Sequence, residues 1–352
     1  MTTAGPAVPP HSTLPRTVAA AALLAVALLP AFFVLYRLSL FNTLPRDDYA
    51  PYLLALLGRP GGAFAESPYA YRILSVLAAA PFYFALPVIP LTNTPPGLPV
   101  ETLRATAAFA MLAHLALVGS AVAAYRLARD RAAAPPGVAL IAGVLLYGLS
   151  WYTQVVAIDP LALLFITLGL YLVPRPAGFA GLMLLSVAVN EKILIVFFLW
   201  LGLRLLLVPS DRPVLTLPWL ASLAALLLYG ALVTGLHIPG NSYQLEPGGY
   251  LATLRTNLAA QISARGVLLN GLPVALLLAL GLAGHRPGAR PPTGPGWRLF
   301  RPADLLMIPL MAAVALVLTQ FFQVGRLVMH AAPLFLVPAA GMLSARLGSP
   351  RP

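Results

Sequence analysis

The chain has 352 residues, of which 60% are hydrophobic and 9% are charged. Because apolar runs of membrane-spanning length recur along it, the composition excludes an ordinary soluble domain and predicts an all-α, polytopic integral membrane protein of the cell membrane. A net charge of +12 would suit nucleic-acid binding, but most arginines lie in short loops between apolar runs, so no nucleic-acid partner is expected. The absence of cysteine excludes disulfides and thiolate metal sites.

Eleven apolar segments are predicted to be helices of a single transmembrane domain over residues 17–346. Residues 1–16 are rich in Pro, Ser and Thr and predict a disordered tail, and residues 347–352 form a second short tail. The first segment is too long for the apolar core of a signal peptide, so it is predicted to be a retained anchor helix. In chain order the segments are 18–38, 73–91, 105–125, 138–157, 161–173, 179–189, 193–208, 214–234, 267–282, 305–319 and 327–343.

Two of these segments, 161–173 and 179–189, are shorter than the roughly 20 residues that cross a bilayer. Asp159 borders the first, and Glu191 and Lys192 follow the second. Such short segments must be bordered by polar ends or lie within the protein, because lipid offers no partners to unpaired backbone groups. The pattern therefore predicts a cavity near these three residues.

The positions of the arginines predict the orientation of the bundle. The loops that carry most of them, including the Pro/Gly/Arg-rich loop 285–302, fall on one side, which is then the cytoplasm. With a cytoplasmic N-terminus, a membrane crossing at 73–91 would put these arginine-rich loops outside. One solution is that the N-terminus itself lies outside. The alternative is that 73–91, which contains three prolines, enters the membrane without crossing it. That arrangement, with about ten crossings rather than eleven, is preferred because it gathers the unusual polar residues on the outer face.

The first outer loop, residues 39–72, contains two adjacent carboxylates, Asp47 and Asp48. Residues 49–58 predict a short amphipathic helix at the membrane interface, with Asp48 as its N-cap and Gly58 at its end. A cap needs one carboxylate, so Asp47 is left over, and adjacent acids repel unless they meet a cation, a metal or a substrate proton. The alternative is that Asp48 is a cap only.

Two pairs of polar residues lie at the borders of apolar segments. The loop ends in SPYAYR, which places Tyr71 and Arg72 at the start of the next segment, either in a site or as an ordinary interfacial anchor. Glu191 and Lys192 lie between two apolar segments, where ionisable groups are costly and face a cavity or a partner. A structural ion pair is the alternative for them.

Two further charged residues have both a structural and a functional interpretation. Arg326 lies at the outer start of the last segment, where a guanidinium can bind a phosphate through two hydrogen bonds or serve as a snorkelling anchor. Asp159 precedes a proline, so it is either a site residue or the N-cap of the next helix.

The outer loop 235–265 is long and contains Arg255 and Arg265. Within it, residues 250–263 predict an amphipathic helix, which would be a lid over a substrate site or a plain connector. The five histidines show no metal-ligand spacing, so His114 and His330, inside apolar segments, are predicted to be hydrogen-bonded packing residues.

An acidic pair in the first outer loop, followed by an interfacial helix, resembles the GT-C superfamily of membrane glycosyltransferases. The whole chain also resembles a group of bacterial membrane proteins with DDY, SPYxYR and NEK-like segments, and that likeness implies no activity. The GT-C resemblance implies a multi-span enzyme that takes sugar from a polyprenyl-phosphate lipid at the outer face. It also implies that Asp47 or Asp48 is the catalytic base or helps to hold a divalent metal. Larger members carry a soluble C-terminal domain that this sequence does not show, so the acceptor stays undefined.

Sugar transfer from such a lipid requires a carboxylate that takes the acceptor proton and cations that hold the leaving phosphate. Two other classes fit the sequence: a small-molecule or lipid transporter, although no second half repeats the polar breaks, and a non-catalytic membrane scaffold. The predicted substrate-binding residues are Tyr71, Arg72, Asp159, Glu191, Lys192, Arg265 and Arg326, with Arg255 as a further phosphate-holding candidate.

Overall fold

The computed structural model describes residues 13–38, 49–64, 69–86, 97–132, 134–150, 158–236, 249–284, 301–318 and 324–347. These residues form sixteen α-helices and no strand, which confirms the all-helical class for the described ranges. The helices are α1 (Thr13–Leu38), α2 (Tyr49–Leu56), α3 (Ile73–Leu77), α4 (Ala80–Ala85), α5 (Val100–Arg131), α6 (Pro136–Leu149), α7 (Asp159–Leu172), α8 (Pro176–Ser186), α9 (Glu191–Leu207), α10 (Arg212–Leu236), α11 (Gly249–Ile262), α12 (Ala264–Gly266), α13 (Leu272–Gly284), α14 (Met307–Leu318), α15 (Val324–Val328) and α16 (Ala332–Leu347).

Short irregular helices join several of these elements. A π-helical segment, Val267–Gly271, connects α12 to α13, and a 3₁₀ turn, Met329–Ala331, connects α15 to α16. Further 3₁₀ turns lie at Tyr69–Tyr71, Pro209–Asp211 and Pro302–Leu306. Such departures from α-helical geometry often mark functional positions.

Four helical segments among the described residues are long and apolar enough to cross a membrane, which indicates a membrane protein. They are Val100–Arg131, Pro209–Leu236, Ala264–Ala283 and Val324–Gly341. Shorter apolar helical stretches among the described residues lie at Ala21–Leu35, Ile73–Ala85, Pro136–Leu149, Asp159–Leu172, Pro176–Ser186 and Pro302–Leu316.

Helix α5 lies at the centre of the bundle and packs against α6, α7, α1 and α2. Its buried face is rich in alanine, which lets neighbouring helices approach closely. The contact with α6 depends on Gly143, because a Cβ there would lie only 2.5 Å from the backbone oxygen of Ala121. The observed helix extends well beyond the predicted segment 105–125, since its ends carry charged residues that a hydropathy pattern does not include.

Helix α2 is packed against α5 rather than lying free at an interface. Five of its eight residues are buried, among them Tyr49 and Leu53. The predicted end at Gly58 is confirmed: its φ is +63°, and the amides of Gly58 and Arg59 donate to the carbonyls of Ala55 (3.1 Å) and Leu54 (2.8 Å). This is the Schellman pattern, which favours glycine at that position.

The predicted segment 73–91 is not one continuous helix in its described part. Helices α3 and α4 are separated at Ala78 and Ala79, and a proline stands in the first turn of α4. Even taken together, Ile73–Ala85 would rise only about 20 Å at 1.5 Å per residue, against a hydrocarbon core of about 30 Å. Residues 87–96 lie outside the described residues.

At the N-terminus, α1 begins at Thr13, so residues 13–16 of the predicted tail belong to a helix. Pro15 is tolerated there because amides in the first helical turn have no intrahelical acceptor. Helix α11 (Gly249–Ile262) agrees closely with the helix predicted over 250–263. The rest of the predicted tails, residues 1–12 and 348–352, lie outside the described residues, as does most of the Pro/Gly/Arg-rich loop.

Candidate functional site

Four helical segments begin at one buried group of charged side chains, here called the polar cluster. Helices α7 and α9 start at it with acidic residues, α3 starts one residue after an arginine, and α15 carries a second arginine. Residues far apart in the sequence thereby meet at helix starts. The polar cluster consists of Tyr49, Arg72, Asp159, Glu191, Lys192, Arg326 and His330.

Arg72 and Glu191 form a two-point ion pair in the interior. The Nε of Arg72 donates to Oε2 of Glu191 at 2.9 Å, and a terminal guanidinium nitrogen donates to Oε1. The other terminal nitrogen donates to the hydroxyl of Tyr49 at 2.6 Å. The side chains of the ion pair are only 5% and 7% exposed, so the guanidinium is held from two sides with little access to water.

Asp159 joins two cations from different helices. Its Oδ1 accepts from the ammonium of Lys192 at 2.7 Å and its Oδ2 accepts from Nε of Arg326 at 2.5 Å. The carboxylate is 0% exposed, whereas the side chains of Lys192 and Arg326 are 15% and 16% exposed. The carboxylate therefore lies behind the two cations, which face the more open side of the polar cluster.

The local sequence explains why α9 begins where it does. Asn190 has an extended backbone, and its side-chain oxygen accepts from the amide of Lys192 at 3.1 Å, which caps the helix. Just before this cap, the carbonyl of Ala188 accepts from the amide of Leu74 at 3.0 Å. The carbonyl of Val189 accepts from the hydroxyl of Ser75 at 2.7 Å. These two bonds fasten α3 to the break between α8 and α9.

Asp159 is the first residue of α7 rather than its N-cap, so the alternative interpretation as a cap is wrong. Ile158 occupies the cap position and makes no side-chain cap hydrogen bond, and the carboxylate of Asp159 is used for the two cations. Both carboxylates of the polar cluster, those of Asp159 and Glu191, lie in the first turn of a helix. The positive end of the helix dipole stabilises negative charge there.

Arg326 is positioned by a tight backbone contact with the π-helical segment. The amide of Gly325 donates to the side-chain oxygen of Asn270 at 2.7 Å. A Cβ on Gly325 would lie 2.0 Å from the carbonyl oxygen of Leu269, so only glycine fits. The irregular helix and the glycine together determine where the arginine enters the polar cluster.

His330 follows Arg326 by one helical turn and is fully buried. Its Nδ1 donates to the carbonyl of Arg326 at 2.8 Å, which confirms the prediction of a hydrogen-bonded histidine. Its Nε2 lies 3.9 Å from Oδ1 of Asp159 and, like Nδ2 of Asn190, has no hydrogen-bond partner among the described residues. Buried polar atoms without partners are uncommon and point to an ordered water or a ligand.

Within the described residues, the polar cluster contains three cationic side chains and two carboxylates. With His330 neutral, it carries an excess of one positive charge. The two partly exposed cations, Lys192 and Arg326, and the helix starts around them favour an anion. A phosphate group matches this arrangement, because it accepts several hydrogen bonds from ammonium and guanidinium donors.

The structure brings together five of the predicted substrate-binding residues and leaves two outside. The hydroxyl of Tyr71 donates to the carbonyl of Val233 at 3.2 Å, and its ring packs against that of Tyr229, so it lies beside the polar cluster. Arg265 has an exposed side chain on α12, and Arg255 has one on α11. The exposed guanidinium groups do not belong to the buried cluster.

The predicted catalytic residues Asp47 and Asp48 lie outside the described residues. Asp48 directly precedes Tyr49, whose hydroxyl binds Arg72. Among the residues that the structure describes, no group of three or more His, Asp and Glu side chains could hold a metal ion. A metal held by carboxylates of the first loop would involve the two undescribed aspartates.

Two members of the polar cluster were missed by sequence reasoning. Tyr49 was assigned only to the interfacial helix, and His330 was assigned only to packing. The single available signal for His330 was its spacing of four residues from Arg326, which places both on one helix face. Tyr49 has no comparable signal, since its contact with Arg72 depends on how α2 packs.

A second group of charges lies at the other end of α9, about 18 Å from Lys192 along the helix axis. Arg204 donates to both carboxylate oxygens of Asp304, at 2.7 and 2.6 Å, and to Asp211 at 2.8 Å. Arg301 also binds Asp211, at 2.5 Å. Two arginines thus balance two aspartates, and this network joins the end of α9 to the starts of α10 and α14. Arg204 is 0% exposed and lies in the last turn of α9.

No family model matches the chain, and no curated protein or solved structure matches it either.

Proposed function

We propose that this protein is a GT-C-like glycosyltransferase that moves a sugar from a polyprenyl-phosphate donor to an acceptor at the outer face of the membrane. The observation that carries the proposal is the polar cluster, in which Lys192 and Arg326 are the most exposed of the charged side chains and which has an excess of positive charge. The cluster is joined directly to the first loop through Tyr49. That loop contains the acidic pair on which the family resemblance rests.

The chemistry of the transfer supports this assignment. As the bond between sugar and phosphate breaks, negative charge builds on the leaving phosphate, and fixed cations in a site with little water stabilise it strongly. Lys192 and Arg326 would contact this phosphate. Asp159, which binds both, holds them in place before the substrate arrives, so little reorganisation is needed during the reaction.

Arg72 and Glu191 have a different role in the proposal. Their two-point ion pair is more deeply buried than Lys192 and Arg326, and it anchors the end of the first loop against α9. Through this anchor Tyr49, which directly follows Asp47 and Asp48 in the sequence, is held at the same end of the bundle as the cations. One of the two aspartates would take the proton from the acceptor hydroxyl, as a base within hydrogen-bond reach of it.

The proposal requires the first loop and the start of α9 to face the same side of the membrane. The division of 73–85 into two short helices supports an element that enters the membrane without crossing it, and this gives about ten crossings. The second charge group around Arg204 then faces the cytoplasm. The loop 285–302 would lie on that side as well.

A transfer assay tests the proposal. The full chain in lipid vesicles would receive a polyprenyl-phosphate donor with a radiolabelled sugar and a membrane extract that supplies hydroxyl-bearing acceptors, with and without divalent metal. Asp47→Asn, Asp48→Asn or both together should lower the rate by about 10²- to 10⁴-fold, the usual contribution of a general base. Lys192→Gln should also lower it, whereas Arg175→Gln, at an exposed loop arginine, should not. Unchanged transfer in the double aspartate variant would overturn the proposal.

A transporter for a phosphate-bearing small molecule or lipid is the second candidate. It is favoured by irregular backbone near the polar cluster, namely the π-helical segment Val267–Gly271 and the 3₁₀ turn Met329–Ala331. In membrane proteins such backbone lines cavities and ion or substrate paths. Movement of a labelled phosphate compound across the vesicle membrane, without any sugar transfer, would favour this class over the enzyme.

A further inference from the structure

An apolar groove lies along the partly exposed face of α9. Its volume is about 410 Å³, within the range of small-molecule sites. Six residues of α9 between Phe198 and Leu206 line it, together with Trp219 of α10 and Leu310 of α14. The polar cluster, at the N-terminal end of the same helix, does not include any of these residues.

The wall of the groove depends on a close contact between α9 and α10. A Cβ on Gly202 would lie 3.1 Å from Nε1 of Trp219, so glycine lets the indole lie directly against α9. The ring of Phe198 stacks on the indole, with centroids 6.0 Å apart and an angle of 23° between the planes. These two rings give the groove a flat aromatic side, which suits a flexible hydrocarbon chain.

One face of α9 connects this groove to the polar cluster. The partly exposed residues of the helix recur every three or four positions, as expected for a single face. In order along the helix they include Lys192, Ile195, Leu199, Leu203 and Leu206. At 1.5 Å per residue the face runs from the ammonium-bearing residue to a point about 21 Å away. The face therefore carries a positive charge at one end and is apolar along the rest of its length.

We propose that this groove holds the hydrocarbon chain of a single-chain lipid phosphate, with the phosphate at Lys192 and Arg326. The inference rests on the proposed function and assigns the part of the protein that recognises the lipid chain. A long-chain phosphate matches both features at once, because its charge lies at one end and its single apolar chain follows one helix face. A two-chain phospholipid would leave its second chain outside this groove, which follows a single helix face.

The test uses the full chain in vesicles and two probes: a long-chain prenyl phosphate with a photoreactive group at the far end of the chain, and a two-chain phosphatidic acid labelled likewise. The prenyl phosphate should label residues of the groove. Leu203→Trp, which fills the groove, should reduce this labelling at least about tenfold, equivalent to about 1.4 kcal/mol. Leu206→Trp tests the same point at a side chain that is 75% exposed, where a larger side chain does not disturb the packed interior. Leu184→Trp, at an exposed leucine of α8, is the matched control and should not change it.

Several outcomes would overturn the inference. They are equal labelling of the groove by phosphatidic acid, label spread over α8, or labelling that both groove variants leave unchanged. Failure of the proposed function gives a different result, namely labelling of the groove by the prenyl phosphate without sugar transfer by the unsubstituted protein. If the proposed function is correct but the groove does not bind the lipid chain, the Leu203→Trp variant will transfer sugar from long-chain and short-chain donors as the unsubstituted protein does. If both hold, it will lose transfer from the long-chain donor alone.

Discussion

Asp159→Asn is the substitution that should disturb the polar cluster most. The native carboxylate is 0% exposed and binds Lys192 at 2.7 Å and Arg326 at 2.5 Å. The amide keeps the shape but removes the negative charge, so the described cluster changes from one excess positive charge to two. Breaking a buried ion pair by removing one partner typically costs about 3–5 kcal/mol. Because the two cations retain 15–16% exposure and so some contact with water, we expect the lower limit, about 3 kcal/mol.

Thermal unfolding in detergent, followed by intrinsic fluorescence, measures this effect. With an unfolding entropy of about 2.1 cal/mol/K per residue, a loss of about 3 kcal/mol corresponds to a fall in Tm of about 4 °C in a chain of 352 residues. Asp130→Asn, at an exposed carboxylate of α5, is the matched control and should change stability by less than about 0.5 kcal/mol. Adding Lys192→Gln to Asp159→Asn should recover part of the loss, because one of the two uncompensated cations is then absent. Equal stability of Asp159→Asn and the native protein would refute the view that this carboxylate holds the cations in place.

Three further predictions concern the ion pair, a close backbone contact and the topology. Arg72→Lys should cost about 1–3 kcal/mol, since an ammonium cannot reproduce the two-point pair, and an unchanged Tm would contradict this. Gly325→Ala should cost about 1–3 kcal/mol through overpacking against the carbonyl of Leu269. The control Gly181→Ala, at an open helical position, should be neutral or stabilising. Equal effects of the two substitutions on Tm would contradict the close contact at Gly325. Single cysteines introduced at Phe64 and Ser210, both exposed, should react with a membrane-impermeant reagent from opposite sides of the membrane. The cysteine at position 64 should react from outside. Labelling of both from the same side would exclude the proposed topology.

Three charged residues of the polar cluster could be predicted from sequence, because a charged side chain buried among apolar segments is energetically costly. Glu191 and Lys192 stand between apolar segments, where a charged group needs a partner or a cavity, and Asp159 interrupts the chain in the same way. The partners themselves were not predictable. Sequence reasoning paired Glu191 with Lys192 as neighbours, whereas in the structure Glu191 binds Arg72 and Lys192 binds Asp159. Adjacent residues in a helix point in different directions, so each of the two side chains reaches a different element.

The sequence by itself determined the helical class, the approximate position of each apolar helix and the glycine that ends α2. Hydropathy and helix-end signals are local properties, so they do not depend on how the helices are arranged. Only the tertiary structure decided that α2 is buried on α5, that 73–85 is two short helices, and that Tyr49 and His330 join the polar cluster. These outcomes depend on contacts between residues far apart in the chain, where each buried charge must find an oppositely charged or hydrogen-bonding group in space.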